Sequence, residues 1–518
     1  MRQVYTNFRW WETGEPQTMV VDEGKVVSRG IDRAPAAETI DLGGQVLMPS
    51  FIDSHCHILP TGLDLKKLNL TTASSHQEVL DLVAQRLRVD ASPWLLAVHY
   101  DQTKYADGRH LTRDELDQLS QDRPILLRHT SGHASVANSA ALRAAGVDES
   151  TPDPGGGRFG RDASGRLDGT LFEEAHERVS HAPPTPTAEE MADAILAAGE
   201  KMSALGIACA SDMMTGRYDL EREIEAYRLA SLRGCKIKMR LYLQWKEVFG
   251  PRARPLSELQ EKLADLERQT LGRVRAGGIK IFSDGAIGSA TAAIYGRYSG
   301  ETPAGPVLSR RAKQAAHEER EVSGQLMYSP EKLIEMTRIA SDAGYQVSVH
   351  AIGDYASDLV MDAFEATGDP TRHRLEHGMI LSDSQIERLA GLGCFLTFQP
   401  EFLMRFGHAY RRQLGPERAA RLKRTRSVLD AGIRLSFSSD RPIVPGDPLD
   451  GIETAVNRPE GFDPTEACTW EEAVRAYTVE GARANGDGAA MGALEPGMDA
   501  DFQIRSADAR SASGPASP

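Results

Sequence analysis

Apolar runs of strand length recur along the middle of the chain, and helical stretches separate most of them. Eight such runs predict strands: Val46–Ser54, Ile207–Asp212, Lys236–Leu243, Gly278–Asp284, Gln346–His350, His373–His377, Cys394–Gln399 and Ile433–Asp440. Amphipathic helices are predicted between several of them, for example over Pro330–Ala343, Tyr355–Ala366 and Ser384–Leu392. Such alternation implies a parallel sheet with right-handed crossovers, and eight units favour a closed (β/α)8 barrel.

The two ends of the chain have a different pattern. Residues 1–48 contain short β-branched runs, such as those around the turn Asp22–Lys25, which indicate hairpins. We predict that 1–48 and 488–505 together form a small β domain and that 49–487 form the barrel. Residues 506–518 are small and polar and are predicted to be a disordered tail.

A long segment separates the first two predicted strands of the barrel. It has strands and helices of its own, predicted over Leu95–His99, Ile125–His129, Asn138–Ala145 and Ala188–Leu205. We interpret 60–200 as an insertion over the barrel mouth, where connecting segments commonly shape a substrate site.

Composition narrows the classes of partner. The chain has 518 residues, of which 41% are hydrophobic, and a formal net charge of −14. An acidic surface argues against nucleic acid or an anionic membrane as the main partner. The five cysteines form no CxxC pair, and there is no apolar run of signal-peptide or membrane-span length. We therefore expect a soluble cytoplasmic protein; the composition does not identify a substrate.

Polar side chains follow the predicted strands, at the end of a (β/α)8 barrel where active sites form. They are His55, His57, Lys280, Asp284, His350, Glu376, His377 and Asp440. In an extended segment, residues two apart point the same way, so His55 and His57 can face one metal ion. Imidazole and carboxylate groups are good ligands for zinc and other divalent transition metals.

Lys280 allows two interpretations. A protonated lysine has no lone pair and cannot bind a metal, whereas a carbamate formed with CO2 is anionic and can bridge two ions. The spacing alone favours an ion pair with an acid such as Asp284.

Several motifs carry a family resemblance. The run Met48–His57 resembles the first-strand signature of the amidohydrolase superfamily. Blocks in matching order resemble its family 3, the YtcJ-like branch, which includes N-substituted formamide deformylase. These blocks are Ser131–His133, Asn138–Leu142, Gly278–Ser289, Val349–Asp354, His373–His377, Ser439–Val444, Tyr477–Thr478 and Gly492–Asp501. The resemblance covers residues 4 to about 504, and it implies a small β-sandwich domain beside the barrel.

The resemblance also implies a ligand set. His55 and His57 would hold one divalent metal ion, expected to be zinc, and a carbamylated Lys280 would bridge to a second. His350 and His377 would bind that second ion, or one of them would lie outside the coordination shell of a single ion. One or two ions therefore remain open.

Two further residues complete the predicted catalytic site. The resemblance places Asp440 on the first metal, where it would also accept a proton from the attacking water. His133, in the insertion, is a candidate for contacting the substrate, and a structural role near the helix that starts at Asn138 is an equal alternative.

The predicted function is metal-dependent hydrolysis of an amide-type, non-peptide C–N bond in a small organic substrate. A deaminase acting on a cyclic or amidine carbon is an alternative within the superfamily. A non-catalytic binding or regulatory protein on the same scaffold is an alternative of another class, and a metal-dependent lyase or isomerase is a third. The sequence leaves the oligomeric state open, with a homodimer as the assembly considered.

Overall fold

A computed structural model describes residues 2–30, 38–130, 132, 134–154, 157–299, 310–313 and 319–506. Its central feature is an eight-stranded parallel sheet in which neighbours along the chain are neighbours in space. Its strands are β6 (Phe51–Cys56), β13 (Ile207–Thr215), β14 (Lys238–Gln244), β15 (Val274–Phe282), β19 (Val347–Ala351), β20 (Arg374–His377), β21 (Phe395–Phe398) and β22 (Arg434–Phe437). All eight predicted strands are found, with ends shifted by a few residues, except that the first is shorter.

The sheet curls until its first and last strands meet. Ser54 Oγ donates a hydrogen bond to the Phe437 carbonyl at 3.1 Å, and the Asp440 amide donates to the His55 carbonyl at 2.8 Å. These bonds join β6 to β22 and its following loop, so the sheet is a nearly closed (β/α)8 barrel, as predicted.

Helices cover the outside of the barrel, and shorter helices lie within the segments that connect its strands. They are α1 (Ile58–Lys66), α6 (Ala188–Ala204), α7 (Leu220–Leu232), α8 (Trp245–Phe249), α9 (Leu256–Gln269), α10 (Pro330–Asp342), α11 (Asp354–Glu365), α12 (Asp383–Leu392), α13 (Glu401–Leu414), α14 (Pro416–Ala420), α15 (Thr425–Asp430), α16 (Pro448–Val456), α17 (Trp470–Tyr477) and α18 (Val479–Ala484). Local chemistry sets their ends. For α12, Ser382 and Gln385 form a capping box, and Gly393 ends the helix at a φ of 64°. Among the described helices, none is both long and apolar enough to cross a membrane.

The first predicted strand, Val46–Ser54, is in fact two strands in two sheets. Val46–Pro49 forms β5 of the terminal sheet, and only Phe51–Cys56 belongs to the barrel. The backbone changes partners at Ser50, whose N–H bonds to the Asp501 carbonyl, while the next N–H bonds to Gly206. The sequence could not reveal this change of sheet, because each sheet buries its part of the run and the residues on both sides of Ser50 are apolar.

The strands of the two termini share one six-stranded sheet. They are β1 (Gln3–Trp10), β2 (Pro16–Asp22), β3 (Lys25–Gly30), β4 (Glu38–Asp41), β5 (Val46–Pro49) and β23 (Phe502–Arg505). Within the described residues this is a single sheet and not the two layers of a sandwich. Its buried side chains, such as Phe8, Met19 and Leu47, belong to the same apolar cluster as the barrel, so the barrel takes the place of a second layer. The domain boundaries given above stay a prediction.

The segment between β6 and β13 has a sheet of its own. Its elements are β7 (Leu68–Asn69), α2 (His76–Val89), β8 (Leu95–Tyr100), α3 (Arg113–Asp117), β9 (Ile125–His129), β10 (Ala134–Ala137), α4 (Ser139–Ala144), β11 (Gly157–Arg161), β12 (Leu167–Glu173) and α5 (Glu174–Ser180). The strand order in this sheet is β11-β12-β10-β9-β8-β7. The helices α1 and α6 join it to the barrel and cross closely. A Cβ atom at Gly62 would lie 1.9 Å from the Ala194 carbonyl oxygen, so only glycine fits there.

A smaller excursion follows the fourth barrel strand. It contains a three-stranded antiparallel sheet of β16 (Ile294–Tyr295), β17 (Arg310–Lys313) and β18 (Glu319–Ser323). The sheet lies at the same end of the barrel as the predicted site, because it connects the carboxyl end of β15 to α10.

Candidate metal centre

Two histidines from the first barrel strand and one aspartate after the last form the tightest group of potential ligands. Their ligand atoms, on His55, His57 and Asp440, all lie within 4.8 Å of one another. His57 Nε2 is 2.9 Å and His55 Nε2 is 3.4 Å from the same oxygen, Asp440 Oδ1. The structure thus brings these three predicted ligands together where β6 meets β22.

A buried carboxylate fixes the direction of His55. Glu376 Oε2 lies 2.7 Å from His55 Nδ1, and Glu376 Oε1 accepts a hydrogen bond from Ser348 and pairs with Arg374. A carboxylate only accepts, so His55 Nδ1 carries a hydrogen and the other ring nitrogen, Nε2, faces Asp440. Burial alone would raise the pKa of Glu376, but Arg374 and His55 outweigh it and hold that pKa well below its usual range.

The sixth strand departs from the alternation expected of extended backbone. Alternation puts Glu376 and His377 on opposite faces. In the structure the Glu376 side chain reaches His55 inside the barrel, and the His377 ring also lies beside His55, with centroids 4.8 Å apart. The cause is the positive φ of His377, 74°, which turns its side chain back to the barrel mouth.

His377 and His350 lie next to the group of three. Their ring centroids are 4.5 Å apart. His377 Nδ1 is 2.8 Å from Gln399 Oε1, and His350 Nε2 is 3.1 Å from the Gly285 carbonyl oxygen. Within the part of the chain that the structure describes, each ring has one nitrogen in a hydrogen bond and one without such a partner. Burial and the neighbouring imidazoles of His350 and His55 hold the pKa of His377 well below its usual range.

Lys280 does not form the ion pair with Asp284 that its spacing favours. The Asp284 carboxylate instead accepts hydrogen bonds from the backbone amides of Ala293, Ile352 and Gly353. Lys280 is 1% exposed, and its Nζ has no hydrogen-bond partner among the described residues. Burial lowers its pKa to about 8.

The structure allows a test of whether a cation suits this site. Two buried polar atoms of this site, His57 Nδ1 and Lys280 Nζ, have no hydrogen-bond partner among the described residues, and Asp440 Oδ1 has only the two histidine rings beside it. Burial would raise the pKa of Asp440, but His55 and His57 outweigh it and hold that pKa well below its usual range. Imidazole nitrogens and a carboxylate oxygen that converge on one place are a donor set that suits a divalent metal.

The backbone is strained at two residues of the candidate site. Asp440 has a φ of 59° and His377 a φ of 74°, in the left-handed region that residues other than glycine rarely adopt. Such strain is retained where surrounding contacts fix it, and it is concentrated at functional sites.

An apolar cluster lies over the same end of the barrel. Its members come from the loops after the fourth to eighth strands and include Ile287, Ile352, Phe402 and Val444. The Phe402 ring is nearly parallel to that of His377, with centroids 6.4 Å apart. The predicted ligands therefore adjoin apolar surroundings in which electrostatic interactions are strong.

The predicted substrate contact, His133, lies outside the described residues. Its neighbour Gly132 is described, and a Cβ atom there would lie 3.7 Å from Ile443 Cδ1. The insertion thus reaches the loop that follows Asp440. The role of His133 stays a prediction.

Sequence reasoning gave no role at this site to Arg374 or Lys423, which support the histidines. Gln399 directly follows the seventh barrel strand, a position from which the sequence indicates that it could line the pocket. Lys423 gave no signal, because it lies between two short helices and reaches the site only through the fold.

Comparisons with known proteins agree with this geometry. The model of the amidohydrolase family matches residues 38–515. YtcJ of Bacillus subtilis (strain 168), named as an amidohydrolase, is 30% identical over 92% of this chain and 86% of its own length. N-substituted formamide deformylase of Arthrobacter pascens is 30% identical over 95% of this chain and 90% of its own length.

A solved structure supports the same relationship. A metal-dependent hydrolase from Pyrococcus horikoshii is 26% identical, with a TM-score of 0.76 over 97% of both chains. The chain therefore belongs to the amidohydrolase family and is a hydrolase of that type, as the sequence motifs indicate.

Proposed function

We propose that this protein hydrolyses an amide-type, non-peptide C–N bond in a small organic substrate, with a divalent metal, zinc by preference, at the centre described above. The observation that carries the proposal is the convergence of His55, His57 and Asp440 within 4.8 Å beside two further imidazoles. The formamide deformylase among its relatives supports an acyl or formyl amide as the substrate class.

The first metal would be held by His55, His57 and Asp440. His377 and His350 each have a ring nitrogen left for a second ion or for the substrate. A bound divalent metal supplies Lewis acidity, which brings the pKa of water down toward about 7 and polarises a carbonyl group.

Asp440 would be the catalytic base. It accepts a proton from the attacking water while the water oxygen bonds to the substrate carbonyl carbon. The C–N bond then breaks, and Asp440 returns the proton to the amine nitrogen, so a carboxylic acid and an amine leave. Its low pKa keeps the carboxylate ionised before the reaction.

We further propose that Lys280 carries a carbamate. Its neutral Nζ forms a bond to the carbon of CO2 and loses a proton, which gives an anion that can bridge two metals. A buried amine without a hydrogen-bond partner, and with a pKa lowered to about 8, supports this chemistry.

The test combines metal analysis with a substrate screen. We expect purified protein to bind about one or two equivalents of zinc or manganese, and metal-loaded protein to hydrolyse N-acyl or N-formyl amines. His55→Ala and Asp440→Asn should abolish turnover in a folded protein. The matched controls are His408→Ala, at an exposed position on α13, and Asp265→Asn, on α9 with its side chain 49% exposed, which should leave turnover unchanged.

Each result separates the proposal from its rivals. Release of ammonia from a ring or amidine substrate, with N-acyl amines untouched, would favour the deaminase. Absence of bound metal, with no rescue by zinc or manganese, would favour a non-catalytic scaffold. Retained turnover in both site variants would overturn the roles given to His55 and Asp440.

A further inference from the structure

A buried lysine lies behind the metal centre, and we propose that it positions one of its histidines. Lys423 fixes, through Gln399, the tautomer and direction of the His377 imidazole. This inference rests on the proposed function, because it assigns a positioning residue to the same site.

Lys423 is held in an unusual place for a lysine. It lies between α14 and α15, is 1% exposed, and has a φ of 52°. Its backbone is fixed on both sides, since its N–H donates to the Met379 carbonyl and its carbonyl accepts from Arg458. Burying an amine is costly unless it is hydrogen-bonded, so its contacts call for an explanation.

The Lys423 amine donates two hydrogen bonds toward the site. Nζ is 2.8 Å from Gln399 Oε1 and 2.8 Å from the His377 carbonyl oxygen. The rings of Phe398 and Phe402 lie 4.8 and 5.8 Å from Nζ, close enough for cation–π attraction. These contacts aim the amine at His377 and its partner.

The orientation of the Gln399 amide follows from its neighbours. Its Nε2 donates to Ser438 Oγ at 3.0 Å and approaches the Thr397 carbonyl, which can only accept, at 3.4 Å. Its Oε1 therefore faces His377 Nδ1, and the Lys423 amine stabilises this orientation because it donates to the same oxygen; both nitrogens lie 2.8 Å away.

The tautomer of His377 is a consequence of this arrangement. An amide oxygen only accepts, so His377 Nδ1 must carry the hydrogen. The lone pair then lies on Nε2, on the ring that adjoins His55 and His350. A partner that fixes the far nitrogen of a ligand histidine commonly contributes 10- to 100-fold to metal affinity.

Metal-free protein with ¹⁵N-labelled histidine provides the decisive measurement. We expect NMR of the parent protein to show His377 as the Nδ1–H tautomer, assigned by the signal lost in His377→Gln. In Lys423→Met the methionine fills the space without donating, so the signal should move toward a mixture of tautomers. Zinc affinity, measured by competition with a chelator, should fall by about 10- to 100-fold.

Gln399→Met interrupts the chain of hydrogen bonds from Lys423 through Gln399 to His377 at its middle residue. It should give the same mixture of tautomers and the same loss of zinc affinity. The two substitutions together should weaken zinc binding by less than the product of their separate effects, because they interrupt one chain of hydrogen bonds. The matched controls are Lys332→Met, on the exposed side of α10, and Gln269→Met, at the exposed end of α9, which should change neither signal nor affinity.

The inference is overturned if folded Lys423→Met keeps the Nδ1–H tautomer and binds zinc within twofold of the parent protein. If Lys423→Met does not fold, the same result in Gln399→Met overturns it. The NMR measurement needs neither metal nor substrate, so it distinguishes failure of the relay from failure of the proposed hydrolase activity.

Discussion

Replacing Glu376 by glutamine would test the buried carboxylate that supports the metal centre. The side chain lies 2.7 Å from His55 Nδ1, 2.7 Å from Ser348 Oγ and 2.8 Å from Arg374 Nε. Glutamine has the same shape but no charge, and one of its terminal atoms is a donor. Its single oxygen can face His55 or Arg374, but not both.

The expected cost follows from the burial of the pair. Arg374 and Glu376 are both 0% exposed, and removing one partner of such a pair costs about 3–5 kcal/mol. Arg374 keeps neutral acceptors, among them Tyr242 and the Ser54 carbonyl. These satisfy its N–H groups but not its charge, so we expect a loss at the lower end, about 3 kcal/mol.

Denaturant unfolding of metal-free protein measures this free energy. The matched control is Glu387→Gln, on the exposed face of α12, which should stay within about 0.5 kcal/mol of the parent protein. Adding Arg374→Met to Glu376→Gln should recover part of the loss, because it removes the uncompensated charge. A loss below about 1 kcal/mol in Glu376→Gln would refute the reasoning, since the carboxylate would then not compensate Arg374.

Three other outcomes follow from the structure. Chelation of the metal should lower the free energy of unfolding by about 4 kcal/mol relative to protein at a free metal concentration of 1,000 times Kd, as calorimetry can measure. ¹³C-bicarbonate should give a carbamate signal in NMR of the parent protein and of Lys332→Met, but not of Lys280→Met; a signal in Lys280→Met would place the carbamate elsewhere. Burial raises the pKa of Glu223, which accepts the amides of Gly216 and Tyr218, from 4.5 to about 7. The folded chain therefore holds this proton more tightly, so stability should fall by about 3 kcal/mol as pH rises from about 4.5 to 7, and Glu223→Gln should remove that slope in unfolding curves.

The barrel strands could be predicted from sequence because their burial on both faces leaves continuous apolar runs. The first predicted ligands could be singled out for the same reason: His55 and His57 directly follow such a run, and Asp440 follows another. Motif resemblance then gave the family, which the comparisons confirm. Local pattern and family motif were sufficient to single out His55, His57 and Asp440, which follow the ends of strands.

What the sequence could not show depends on contacts between distant segments. The break at Ser50 depends on the partners of two successive amides, which no periodicity records. The inward turn of His377 depends on one dihedral angle, and the position of Lys423 depends on the path of the loop between α14 and α15. The expectation of an ion pair between Lys280 and Asp284 was wrong, because the Asp284 carboxylate accepts hydrogen bonds from three backbone amides instead.

The chain passes almost directly from β5 of the terminal sheet into β6 of the barrel, the strand that carries His55. The terminal sheet is therefore coupled to the candidate metal centre. Residues Phe502–Arg505 of β23 pair with β5, and only one residue separates β5 from β6, the strand that carries His55. A truncation that removes β23 would uncover the hydrogen-bonding edge of β5, which invites aggregation. It would also remove contacts that hold β5, and with it β6, in place. Affinity tags should therefore be attached after residue 506, and C-terminal deletions should not extend into β23.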